Sequence, residues 1–304
     1  MRNTLFSTIA LLTGIFLIAG CNQNAKEASE NNATPETPRA EIRVTSVRGP
    51  AGSLYVDDGG DKGLTVIFIH SFAGDSTHWA AQLEHLRKSR RAIAFDLRGH
   101  GQSEPSAKND YSIDSLASDA EYIVDTLNFD RVVLVGHSIG GAVALAYAGK
   151  HPEQVAGLVL VVAPGKVPPA EAQKIIGALE SNYDKTMEGY WNQLVTNAQP
   201  KVVETLKQGR QKMPQDRSLN LIKATFQYDP SPALRSYQGP KLFVTAPSDN
   251  QPYALHNLAA GGEHKVIEGT SHWLQMDKPD EFNRILDEFL ASVEAGRSQK
   301  AAQN

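Results

Sequence analysis

From residue 41 onward, short apolar runs alternate with segments whose apolar residues recur at helical spacing. No other feature narrows the possible folds as much. "LTVIFIH" (64–70), "RAIAFDL" (91–97), "RVVLVGHS" (131–138), "GLVLVVAP" (157–164), "KLFVTAP" (241–247) and "HKVIEG" (264–269) read as strands. Runs such as 64–70 lack polar alternation, the pattern of a strand covered on both faces. "EIRVTSV" (41–47) and "SLYVDD" (53–58) read as a leading pair. Trp79, Leu83 and Leu86 mark one helix face, and Ile113, Leu116, Ala120, Ile123 and Leu127 another. Residues 139–150 read as a third helix. Phe282, Leu286, Phe289, Leu290 and Val293 mark a last one, starting near Pro279. The alternation predicts a mainly parallel, eight-stranded sheet flanked by helices.

One interval breaks the rhythm. Residues 166–236 carry helical stretches, with Ile175, Leu179, Trp191, Leu194, Val202, Leu206 and Leu221, and no strand. About seventy residues is far beyond an ordinary connection. The interval is expected to be a helical cap inserted between the sixth and seventh strands. The core is then 41–165 with 237–295, and 296–304 is expected to be a disordered tail.

The chemistry sits at strand ends. Gly136-His137-Ser138-Ile139-Gly140 fits G-x-S-x-G at a strand-to-helix junction, a tight turn that lifts a serine hydroxyl clear of the sheet. A serine needs a base to become a nucleophile. The base must stand at the C-terminal edge of the sheet, where ligands bind. The chain has nine histidines. His264 begins a strand, His256 falls on a helix, and His137 is expected to point away from the serine. His272 lies just past the last strand and is the candidate base. Asp249, past the strand at 241–247, is the candidate carboxylate that holds the imidazole; a helix N-cap is the other role this position could serve. Oxyanion donors are expected from the backbone N–H of Ile139 and of Phe72, with Ser71 as the alternative to Phe72. Phe72, Trp191 and Trp273 are candidate substrate-binding residues.

These residues together resemble the α/β-hydrolase fold family in its capped subfamily, over residues 41 to 295. "GHSIGG" resembles the nucleophile elbow, and Asp249 in "TAPSDN" and His272 in "GTSHW" match the acid and base positions. "FDLRGHGQS" (95–103) resembles the family's D-x-R-G-x-G-x-S loop, giving Asp96, Arg98, Gly99, Gly101 and Ser103 a structural role. Two departures stand out: His70-Ser71 replaces His-Gly at the oxyanion loop, and Ala246 stands where Gly is common before the acid. The resemblance implies acyl transfer through a serine ester. Relatives that open epoxides or remove halogens use Asp in place of the serine.

The first twenty residues, "MRNTLFSTIALLTGIFLIAG", combine Arg2 with an apolar run and small residues, the pattern of a secretion signal. Cys21 follows directly and is the only cysteine. It resembles the lipobox cysteine of bacterial lipoproteins, which is acylated and becomes the N-terminus. Residues 21–40 are polar and lack aromatics, as expected for a flexible tether. The expected location is the bacterial cell envelope, anchored by lipid at Cys21. In a Gram-negative cell, Asn22 after the cysteine points to the periplasmic face of the outer membrane.

A formal net charge of -4 offers no basic field for nucleic acid. One cysteine excludes an intrachain disulfide, and no zinc-type spacing appears; the acyl transfer that the resemblance implies requires neither metal nor cofactor. The leading functional expectation is hydrolysis of small or medium carboxylic esters. An aminopeptidase or amidase is an alternative, with Glu180, Asp184 and Glu188 available in the cap to hold an amine. A carbon–carbon hydrolase or perhydrolase is another. An inactive, lipid-anchored binding protein is the alternative of a different class, and such a protein is expected to lose members of the triad.

Overall fold

The computed structural model describes residues 42–303; the expected signal peptide, the expected tether and Cys21 lie outside the described residues. The expected strands form β1 (Ile42–Arg48), β2 (Ser53–Gly59), β3 (Thr65–Ile69), β4 (Ala92–Phe95), β5 (Val132–His137), β6 (Val155–Val161), β7 (Lys241–Thr245) and β8 (Glu263–Val266). They build one eight-stranded sheet in the order β1-β2-β4-β3-β5-β6-β7-β8. The pairs β1–β2 and β2–β4 are antiparallel, and every pair from β4–β3 to β7–β8 is parallel.

The sheet is covered on both sides, which explains the unbroken apolar runs. Ile67 and Ile69 of β3 pack with Leu134, Leu158 and Leu160 against α2 (Ile113–Thr126) and α3 (Ile139–Lys150). Val66 and Phe68, the alternate positions, pack with Val133, Val135 and Val159 on the other face, against α1 (Ala80–Leu86) and the C-terminal helix. A strand buried this way needs apolar side chains at every position. The edge strand β8 is instead largely exposed, and its Glu263 and Lys265 discourage pairing with another chain.

Five helices lie between β6 and β7: α4 (Pro169–Ser181), α5 (Tyr183–Leu194), α6 (Pro200–Lys212), α7 (Gln215–Gln227) and α8 (Ser231–Ser236). Proline opens α4 and α6 where a missing N–H costs nothing. Two short helices, α9 (Leu255–Leu258) and α10 (Leu274–Asp277), flank the last strand. The final helix, α11, runs from Pro279 to Gln303. Residues 296–303 are therefore helical, and the expected disordered tail is corrected. "EAGRSQKAAQ" holds mostly good helix formers and no proline, so nothing stops the helix at 295.

Candidate active site

The turn at the end of β5 is strained as the motif requires. Ser138 has φ 51° and ψ −120°, a backbone region costly for any residue with a Cβ. The turn is so tight that a Cβ on Gly136 would lie 2.3 Å from the carbonyl oxygen of Gly140. A Cβ on Gly140 would lie 2.4 Å from the carbonyl oxygens of Ile69 and His70. That second approach brings the start of α3 against the loop after β3, where the oxyanion donors are expected. Ser138 is held through its backbone: its N–H donates to Val161 O (2.8 Å), and its carbonyl accepts from Gly141 N (2.8 Å) and Ala142 N (3.2 Å). Its neighbours His137 and Ile139 are buried, while Ser138 is partly accessible.

His272 follows β8 and Asp249 follows β7, so both stand at the same sheet edge as Ser138. The Nδ1 of His272 lies 3.9 Å from Oδ1 of Asp249, with both side chains mostly buried. That is ion-pair distance and too long for a hydrogen bond, and the Nδ1 has no hydrogen-bond partner. Hydrogen bonds at such sites are often long until substrate is present. The other carboxylate oxygen, Oδ2, accepts from Ala246 N at 3.2 Å.

The peptide of His272 is held on both sides. Its N–H donates to Leu194 O, at the end of α5, at 3.1 Å, and its carbonyl accepts from Nε2 of His137 at 2.8 Å. The loop before it is fixed by Asp277, whose Oδ2 accepts from Ser271 N (2.9 Å) and Ser271 Oγ (2.5 Å). The other oxygen of Asp277 accepts from Gln199 N in the cap at 2.8 Å. The loop that carries His272 is thus tied directly to the cap.

Ile139 is the first residue of α3, so its N–H has no acceptor within the helix. Phe72 is half-buried in the loop after β3. Behind that loop, His70 donates from Nδ1 to Ser71 O (2.7 Å) and accepts at Nε2 from Leu97 N (2.9 Å). Burial lowers the His70 pKa to about 4 and keeps the ring neutral. Ser71 Oγ is buried without a partner.

Trp191 and Trp273 stack nearly parallel, with ring centroids 5.2 Å apart and planes 8° apart. Both are buried, in a cluster with Leu179, Met187, Val202 and Leu206 that joins cap to core. Trp273 also stands edge-on to His272 at 5.2 Å, and Phe72 lies 6.2 Å from Trp191. The D-x-R-G-x-G-x-S residues have a structural part. Asp96 accepts from Ser76 N (2.7 Å) and Gln102 N (2.8 Å), and Arg98 makes a buried two-point ion pair with Asp119 (2.5 and 2.6 Å).

Three residues near these groups carry no functional signal in the sequence: His137, which bonds the His272 carbonyl, Gln275, which bonds His137, and Tyr190. Tyr190 lies on α5 and is 44% exposed. Burial, then the nearby Asp249 charge, push its pKa up to about 12. A tyrosine in "EGYW" carries no sequence signal for this position. Among the described residues, no group of three or more His, Cys, Asp or Glu is arranged to hold a metal ion, and no helix is long and apolar enough to cross a membrane.

Comparison with known proteins gives the class. The family model described as alpha/beta hydrolase fold matches residues 65–279, and the chain belongs to that family. Epoxide hydrolase 3 of Xenopus tropicalis is 27% identical over 278 residues, covering 78% of this chain and 74% of the relative. Among solved structures, Est816, described as an N-acyl homoserine lactone degrading enzyme, superposes with TM-score 0.71 and 26% identity over 81% of this chain and 100% of its own. The enol-lactonase of Burkholderia xenovorans LB400 has TM-score 0.70 over 81% of this chain and 100% of its own; at 20% identity it speaks for the fold alone.

Proposed function

We propose that the protein is a serine hydrolase of carboxylic esters with small or medium acyl groups, lactones included, acting through Ser138, His272 and Asp249. The observation that carries this reading is the strained Ser138 on the same sheet edge as a His272–Asp249 pair 3.9 Å apart. His272 takes the proton as Ser138 Oγ attacks the ester carbonyl carbon. The N–H groups of Ile139 and Phe72 hold the developing oxyanion. Collapse breaks the C–O bond, and His272 returns the proton to the departing alkoxide. A water deprotonated by His272 then attacks the acyl-serine, releasing the acid and restoring Ser138. Asp249 stabilises the imidazolium at Nδ1 in both halves.

Serine at the elbow separates this chemistry from epoxide opening, despite the likeness to Epoxide hydrolase 3. An epoxide ring is opened by a carboxylate nucleophile in these relatives, whereas a serine alkoxide suits a carbonyl. Est816, by its description a lactone-degrading enzyme, is consistent with ester chemistry on this framework. The apolar joint between cap and core favours an acyl chain over a charged amine. Glu180, one acid available to an aminopeptidase, is paired to Lys223 at 2.6 Å, and Asp184 and Glu188 are exposed.

A fluorophosphonate probe tests the nucleophile. Wild type is expected to be labelled and Ser138→Ala not; equal labelling of the two removes Ser138 from the mechanism. A panel of p-nitrophenyl esters of rising chain length, run beside proline anilides, separates esterase from aminopeptidase. We also propose that Cys21 carries the lipid anchor, on the strength of the sequence before it. Radiolabelled palmitate should enter the wild-type protein and not Cys21→Ala.

A further inference from the structure

The proposed acyl transfer makes no use of His137, the residue immediately before Ser138. Yet its imidazole is completely buried and has a partner on each nitrogen. Nε2 lies 2.8 Å from the carbonyl oxygen of His272, and a carbonyl only accepts, so Nε2 carries the proton. Nδ1 is then bare, and the side-chain amide of Gln275 donates to it at 3.3 Å. Burial holds the His137 pKa well below its ordinary value, so the ring is neutral. One neutral tautomer satisfies both bonds.

The backbone of Gln275 is anchored separately: its main-chain carbonyl accepts from the side-chain amide of Gln82, on α1, at 3.2 Å. Two indoles fix the plane of the His137 ring from the side: Trp79 at 6.4 Å and 86°, and Trp273 at 5.9 Å and 76°. The ring cannot rotate without breaking a hydrogen bond or striking an indole.

We propose that His137 is a positioning residue for the base. Its Nε2–H grips the peptide of His272 and so sets where that imidazole stands relative to Ser138. The inference rests on the reading of Ser138 and His272 as nucleophile and base. The two groups that must meet lie on different loops, β5–α3 and β8–α10, and loop errors add. His137 removes most of that error, because the nucleophile's own chain neighbour holds the base's backbone through one rigid ring. A misplacement of ~1 Å costs about 100-fold in rate. An apolar ring in the same space would fill the core equally well and leave the His272 carbonyl without its donor.

The test compares His137→Phe, which keeps a ring and loses the donor, with His137→Gln, whose amide nitrogen reaches about as far as Nε2. Turnover of p-nitrophenyl butyrate is measured beside circular dichroism and fluorophosphonate labelling. For His137→Phe, kcat should fall by about 30-fold or more with KM within about threefold; for His137→Gln, kcat should return to within about threefold of wild type. A folded His137→Phe with wild-type kcat overturns the inference, and so does a His137→Gln no better than the phenylalanine. If His137→Phe does not fold, Gln275→Met takes its place. It removes only the donor that fixes the tautomer and should lower kcat by about threefold or more, and a wild-type kcat there overturns the inference. If the wild-type protein neither labels nor turns over ester, the acyl-transfer reading fails and this inference fails with it. If wild type is active and only the His137 series is unresponsive, the positioning role alone is lost.

Discussion

Three residues with a Cβ adopt left-handed backbone at the same sheet edge: Ala73 (φ 54°), Ser138 (φ 51°) and Val162 (φ 47°). They follow β3, β5 and β6, the three central strands whose ends frame the candidate site. Each such conformation costs roughly 1–3 kcal/mol, and a β-branched valine is the rarest occupant. Strain concentrated where the nucleophile and the oxyanion donor are expected fits a site held open by its scaffold. The placement of Ser138, Asp249 and His272 at one sheet edge was legible in the sequence because each follows a strand, and strand ends are readable. That His137 turns away from the serine was also expected, but not what it meets there, the carbonyl of His272 and the amide of Gln275, because those partners lie about 135 residues away in the chain. The same holds for Tyr190 on α5, whose phenol feels the charge of Asp249. Asp249 offers the sharpest test at this scale. In Asp249→Asn the amide can stabilise no imidazolium and can favour the wrong tautomer, so kcat should fall by about 10³–10⁴-fold. The side chain is nearly unchanged in size and partly accessible, so the melting temperature should stay close to wild type. A kcat within about tenfold of wild type would assign the carboxylate role elsewhere.

The helices of the cap were legible as helices, but not the face each turns to the core. Apolar spacing marked Leu179, Trp191, Val202 and Leu206, which do form the buried joint. It said nothing of Leu194 O, which receives the N–H of His272, because backbone bonds leave no trace in composition. Glycines in these helices discriminate between open faces and contact faces. Gly177 in α4 and Gly189 in α5 have no atom within 4 Å of where a Cβ would stand. Gly209 in α6 would place a Cβ 2.2 Å from the carbonyl oxygen of Ala73, in the loop after β3. Helix propensity alone favours alanine over glycine by ~1 kcal/mol at each position. Gly177→Ala and Gly189→Ala should therefore raise stability by up to about 1 kcal/mol each with activity unchanged. Gly209→Ala should reverse that sign and lower ester turnover, because either α6 or the oxyanion loop must move. Urea melts and turnover on the three variants decide it; a Gly209→Ala as stable and active as Gly177→Ala would mean that α6 does not rest on the loop.

Taken as a whole, the molecule carries an acid sensitivity set by its buried histidines. His70, His78, His100 and His137 are all buried, and burial lowers the pKa of each. For His70 it falls to about 4 and for His100 to about 3. In the unfolded chain these rings take up protons below about pH 6.5. Between that pH and the folded pKa, the unfolded state binds more protons, so stability falls as pH falls. The stabilisation is fully present above about pH 6.5 and is lost progressively toward about pH 4 for His70 and about pH 3 for His100. Each ring contributes a slope of about 1.4 kcal/mol per pH unit, so His70 and His100 together remove roughly 4 kcal/mol by pH 5. His78 and His137 add to this in the same direction. Domains of this kind hold only about 5–15 kcal/mol, so the loss is enough to bring the fold near its limit. Urea midpoints should be flat from about pH 8 to 7 and then decline steeply to pH 5, with a slope of more than one proton. Midpoints unchanged down to pH 5 would mean that these rings are solvated or paired with acids in the folded protein. The part of any loss of ester turnover over that range that comes from unfolding is measured separately by the urea series.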